Sequence, residues 1–110
     1  KKEKPELDLV LLGLGSDGHT ASLFPHTESL ETRDSFTTVS FGNGCHRISL
    51  TEPILSSSKK VAFLVSGHSK QVALRRLLDP SESYLRTPAK LVNTISDITI
   101  LTDRDAYQST

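Results

Sequence analysis

The sequence predicts an α/β fold with a mostly parallel sheet and flanking helices, and three observations predict it. Leu7-Asp8-Leu9-Val10-Leu11-Leu12 is almost continuously apolar and stops at Gly13, the pattern of a strand covered on both faces. Lys60 to Ser66 repeats that pattern and stops at Gly67. A stretch with helix-spaced apolar residues follows, so strand and helix signals alternate along the chain.

In order, Lys1 to Glu6 is a charged entry segment with Pro5, a linker or a domain boundary, and residues 7–110 form one domain. After the first strand comes a glycine-dense turn, Gly13 to His19. Thr20 to Phe24 reads as one or two helical turns that Pro25 stops. Residues 26–36 are polar and read as an exposed connection. Thr37 to Phe41 alternates, Gly42-Asn43-Gly44 is turn chemistry, and His46 to Leu50 is a second short strand, so the two form a hairpin or a bulged crossing. Thr51-x-Pro53 starts a short helix by capping logic, running to about Ser57. After the strand at 60–66, Ser69 to Leu78 is a helix packing through Val72, Ala73, Leu77 and Leu78, with Leu74 on its flank. Asp79-Pro80 ends it. Pro88 to Val92 reads as a short strand, Ile98 to Leu101 as a better one, and Asp103 caps a last turn.

Composition narrows the function classes. Thirteen basic residues balance thirteen acidic ones, which argues against a nucleic-acid surface while leaving room for a local basic pocket. No apolar run has transmembrane length. The single cysteine, Cys45, excludes an internal disulfide framework and a cysteine-based zinc site, so a reducing, cytoplasmic setting is the default and Cys45 itself reads as a buried or half-buried small residue. With no methionine and Lys1 first, the sequence reads as part of a longer chain.

The densest chemistry lies in Gly13-x-Gly15-x-Asp17-Gly18-His19. It follows a strand, and ligands of open α/β sheets bind off the carboxyl ends of strands. Glycines let backbone N–H groups approach an anion or a developing oxyanion, and a carboxylate near an imidazole fixes its tautomer. The string also fits G-x-G-x-x-G, but Pro25 cuts the following helix short and no acidic strand end follows at dinucleotide-fold spacing, so a nucleotide cofactor is not expected. From spacing alone, a tight bend with a solvated His19 fits equally well. Arg47 lies in a strand, and Lys70 opens the helix after Ser66-Gly67, where free N–H groups, dipole and ammonium favour an anion. Each also fits ordinary surface charge. His46 and His68 lack metal-ligand spacing, and no metal is expected.

The run Asp8-Leu9-Val10-Leu11-Leu12-Gly13-Leu14-Gly15-Ser16-Asp17-Gly18-His19-Thr20-Ala21-Ser22-Leu23-Phe24-Pro25 closely resembles the signature of the 6-phosphogluconolactonases, which share a sugar-phosphate superfamily with glucosamine-6-phosphate deaminases. His46-Arg47-Ile48-Ser49-Leu50-Thr51-x-Pro53, Ser66-Gly67-x-x-Lys70 and Pro88-Ala89-x-Leu91-Val92 follow in the family's order, so the resemblance covers nearly the whole chain. It implies a Rossmann-like sheet of the NagB/RpiA type, here incomplete, because the family domain is substantially longer and this sequence resembles its C-terminal half. It implies hydrolysis of 6-phospho-D-glucono-1,5-lactone in the pentose phosphate pathway, without metal or organic cofactor. By this resemblance His19 is the base that activates water, Asp17 orients it, and the glycine turn, with Gly15 and Gly18 as substrate-binding residues, helps stabilise the oxyanion. Arg47 and Lys70 match the phosphate-binding positions. The deaminases carry an acid–base glutamate where this sequence has Phe24, which cannot move a proton. A non-catalytic sugar-phosphate-binding fragment is the other alternative. A sheet without its early strands should show open edges and an uncovered apolar face, with fusion to or association with the missing half as the remedy.

Overall fold

The structure is a computed structural model and describes residues 5–93 and 98–107, so most of the entry segment lies outside it. Five strands and three helices occur among the described residues: β1 (Val10–Gly13), β2 (Thr37–Gly42), β3 (Cys45–Leu50), α1 (Glu52–Ser56), β4 (Val61–Val65), α2 (Gln71–Leu78), β5 (Thr99–Thr102) and α3 (Arg104–Tyr107). β1, β4 and β5 form a parallel sheet in the order β1-β4-β5, with Leu12, Phe63 and Ile100 side by side in register. β2 and β3 form a separate antiparallel hairpin, closed by Asn43 and Gly44, both at positive φ (52° and 81°), as the primed two-residue turns require.

One face of the parallel sheet carries the core. Leu12, Val61, Phe63 and Val65 pack with Leu23, Leu30, Leu55, Ala73 and Leu74. Complete burial of Phe63 contributes about 1.5–3 kcal/mol. On the opposite face Ala62 is buried, but the leucines are bare: Leu11, Leu64 and Leu101 are 59%, 47% and 53% exposed, and Leu9, just before β1, is 54% exposed. The first strand is therefore not covered on both faces, as its apolar run predicts. Parallel sheets normally carry helices on both faces, and among the described residues no layer covers this one.

Local corrections follow from tertiary contacts. Thr20 to Phe24 forms no helix: Ala21 sits at φ 51°, the Thr20 hydroxyl donates to the Gly13 carbonyl at 2.8 Å, and Thr20 bridges to Leu23. The connection at 26–36 is not wholly exposed, because a 3-10 turn at Glu28–Glu31 buries Ser29 and Leu30. Pro88–Leu91 is a 3-10 turn rather than a strand. Cys45 is exposed at the hairpin end rather than buried. Thr51 precedes α1 in extended conformation, but its hydroxyl donates to the Ser35 carbonyl at 2.7 Å instead of capping the helix. α2 is preceded by a 3-10 turn, His68–Lys70. It buries Ala73 and Leu74 and leaves Val72 and Leu78 exposed, so its packing face is rotated from the one the apolar spacing predicts.

Candidate active site

The site grows from the bend after β1. The Gly18 N–H donates to the Gly15 carbonyl at 2.9 Å, and the Gly15 N–H donates to the His19 carbonyl at 2.8 Å. The closure needs φ 92° at Gly18, a region glycine enters without steric cost. Both amides are thus donated inside the bend rather than left free for an oxyanion, whereas the resemblance implies that the glycine turn helps stabilise one.

Within the bend, Nδ1 of His19 lies 2.6 Å from Oδ1 of Asp17, and the His19 backbone N–H donates to the same oxygen at 3.0 Å. Partial burial works to raise the Asp17 carboxyl, but these hydrogen bonds from the His19 amide and ring outweigh it and hold the group below its ordinary value. An ionised carboxylate only accepts, so Nδ1 is the donor to Asp17, and in the neutral form of the ring the lone pair sits on Nε2. Gly15 makes the pairing possible. A Cβ there would lie 2.1 Å from Nδ1 of His19 and 2.9 Å from Oδ1 of Asp17.

Lys70, at the end of the 3-10 turn after β4, reaches across to the bend and donates from Nζ to the Leu14 carbonyl at 2.7 Å. Gly15, His19 and Lys70 line one cavity of about 500 Å³, with Leu11, Leu64 and Ser66 beside them. Its walls run onto the bare sheet face. Arg47 does not line that cavity. It sits on β3 with its guanidinium carbon 6.0 Å from the centroid of the Phe24 ring, and Phe24 in turn packs on the His19 ring at 4.6 Å between centroids. Phe24 thus contacts both the imidazole and the guanidinium. Among the described residues, no group of three or more His, Cys, Asp or Glu side chains is placed to hold a metal.

Three features are not singled out by sequence spacing. Phe24 reads as the end of a helical turn, yet it forms one wall of His19. Gly42 reads as hairpin chemistry, yet a Cβ there would lie 2.5 Å from the Phe24 ring. Asp103 does cap the last helix through the Ala106 N–H at 2.9 Å, but it also accepts from the Ser66 hydroxyl at 3.0 Å and the Gly67 N–H at 3.2 Å. Its carboxyl is lowered by the Ala106 and Gly67 amides, and it ties the end of β4 to the start of α3.

The sequence profile of the glucosamine-6-phosphate isomerases/6-phosphogluconolactonase family matches residues 1–101. The chain belongs to this family. Within it, the chain is 42% identical to a 6-phosphogluconolactonase of Nostoc sp. over 94% of its own length and 43% of that protein's. It is 42% identical to one from Synechocystis sp., over 96% of its own length and 44% of that protein's. Its fold superimposes on the crystal structure of 6-phosphogluconolactonase from Leishmania guyanensis with a TM-score of 0.87 and 30% identity, covering 99% of this chain and 44% of that one. The chain therefore spans less than half the length of the family members it matches, and the α/β architecture here is a partial domain.

Proposed function

We propose that the chain carries the hydrolytic residues of a 6-phosphogluconolactonase acting on 6-phospho-D-glucono-1,5-lactone in the oxidative branch of the pentose phosphate pathway. The observation that carries this reading is the Asp17–His19 pair, fixed over a glycine at the mouth of a cavity that also holds an ammonium.

The chemistry follows from the tautomer. Nε2 of His19 takes a proton from a water as the water oxygen bonds to the lactone carbonyl carbon, and the carbonyl electrons move onto its oxygen. Collapse of that oxyanion breaks the bond from carbon to ring oxygen, and the imidazolium returns its proton to the ring oxygen as it leaves. Asp17 holds the ring and stabilises the transient cation. The amides of Gly15 and Gly18 are donated internally, so the oxyanion is met by other donors. Lys70 has two further N–H donors beyond the one on Leu14 and grips the substrate phosphate. Arg47, beside Phe24 and outside the cavity lining, supplies a second cation for the same anion. An activated ester needs no metal or organic cofactor for this. Phe24 on His19 favours hydrolysis over the deaminase reaction, since a phenyl ring moves no proton.

The bare leucine face and the chain's share of its relatives' length support a second part of the reading: the rest of the domain covers this face and completes the substrate cavity, as a fused segment or an associated chain in the cytoplasm. Hydrolysis of the lactone by the 110-residue chain, alone and with the remaining portion of the domain supplied, tests both parts. The expected result is little turnover alone and strong turnover together. Full turnover by the chain alone overturns the need for a covering half, and none in either case overturns the lactonase reading.

A further inference from the structure

We infer that Glu82 is a positioning residue for His19, acting through Thr87 and the underside of the glycine bend; this rests on the lactonase reading of the site. Glu82 lies in the loop after α2, far from the cavity in sequence, and its side chain is only 3% exposed. Its carboxylate accepts from Nε of Arg86 at 2.8 Å, from a terminal Arg86 nitrogen at 2.7 Å and from the Thr87 hydroxyl at 2.7 Å. A carboxylate accepting three charge-assisted or hydroxyl hydrogen bonds fixes its neighbours in place.

What it fixes is the seat of the bend. Thr87 is fully buried, and its Cα and Cγ2 would lie 3.0 and 3.1 Å from a Cβ on Gly18. Two residues on, the Ala89 N–H donates to the Gly18 carbonyl at 3.0 Å. On the other side of Glu82's loop, the Leu85 carbonyl accepts from the N–H of His26, which sits at φ 59° just past Pro25. The segment from Glu82 to Ala89 therefore grips the bend next to His19 and again at its exit. Gly18 has no room for a side chain against Thr87 and its carbonyl is held by the Ala89 amide, so a shift of this segment carries to Gly18 and to the imidazole one residue away. A base displaced by about an ångström loses much of its effect.

The test compares Glu82→Ala, Glu82→Gln and Thr87→Val in the intact protein, below the melting temperature of each variant. Readouts are the nitrogen resonances of the His19 ring and the separate kcat and KM for lactone hydrolysis. Glu82→Ala is expected to displace the His19 resonances and lower kcat tenfold or more, with KM within twofold. Glu82→Gln keeps an oxygen for the Thr87 hydroxyl and recovers most of the loss. Thr87→Val repeats the effect of Glu82→Ala and adds nothing to it in the double variant. Unmoved His19 resonances in Glu82→Ala and Thr87→Val, or equal losses in the Ala and Gln variants that track the folded fraction, overturn the inference. If Glu82→Ala does not fold, Thr87→Val against Thr87→Ser decides it, with the serine expected to stay near the parent. If the parent shows no lactonase turnover, the functional reading fails, and the ring resonances alone still decide whether Glu82 positions His19.

Discussion

Gly15 and the His19 imidazole compete for one space: a Cβ on the glycine would fall 2.1 Å from Nδ1 and 2.2 Å from Cε1 of the ring. Gly15→Ala must therefore drive the ring off Asp17, since the bend is closed by backbone hydrogen bonds on both sides. Turnover of the lactone is expected to fall by roughly a hundredfold, the loss typical of a misplaced catalytic group, while far-ultraviolet circular dichroism stays as in the parent. Parent-level kcat in this variant would show that the imidazole works from another position.

Gly18 fails differently. At φ 92° against Thr87, alanine is strained both by its own backbone and by the contact. Gly18→Ala is expected to cost about 1–3 kcal/mol, read as a lower urea midpoint at unchanged slope.

The two cations should separate from the base in kinetics. Lys70→Ala removes an ammonium that lines the cavity, and a hydrogen bond to a charged group is worth about 1.5–3 kcal/mol. A rise in KM of roughly tenfold or more is expected, with a smaller change in kcat. Arg47→Ala is expected to raise KM as well, but less, because Arg47 does not line the cavity. If either variant instead loses kcat with KM unchanged, that side chain does not hold the substrate phosphate.

Much of this was legible in the chain. The runs ending at Gly13 and Gly67 mark β1 and β4 because a parallel strand whose two faces are both apolar reads as an unbroken apolar string. The turn residues at 42–44 mark the hairpin. Asp17 and His19 stand two apart on a glycine bend, and local geometry alone brings them together. What spacing did not reveal depends on contacts distant in sequence. Thr20 to Phe24 has helical composition, but the Thr20 hydroxyl bonds back to Gly13 and Ala21 turns left-handed. Phe24 lies against Gly42 only where the hairpin meets the bend. The bare face of Leu11, Leu64 and Leu101 carries the same residues as a covered one, and nothing in their order says which layer is lacking.

Acid sensitivity carries a sign that can be checked. The hydrogen bonds from Arg86 and Thr87 hold Glu82 at about 2, against an ordinary 4.5. Between those values the unfolded chain binds a proton that the folded one does not, so stability falls as pH drops from 4.5 towards 2. Asp17 and Asp103 are lowered as well and act in the same direction. Glu82→Gln should flatten the slope of melting temperature against pH in this window without abolishing it. An unchanged slope would mean that the Glu82 cluster does not persist in solution.

The role of His19 is tested most directly by His19→Gln in the protein with its full domain assembled, assayed on 6-phospho-D-glucono-1,5-lactone. A positioned general base contributes about 10²–10⁴-fold, so kcat should fall by that order while KM and the melting temperature stay close to the parent. A His19→Gln protein that hydrolyses the lactone at the parent rate would contradict the account.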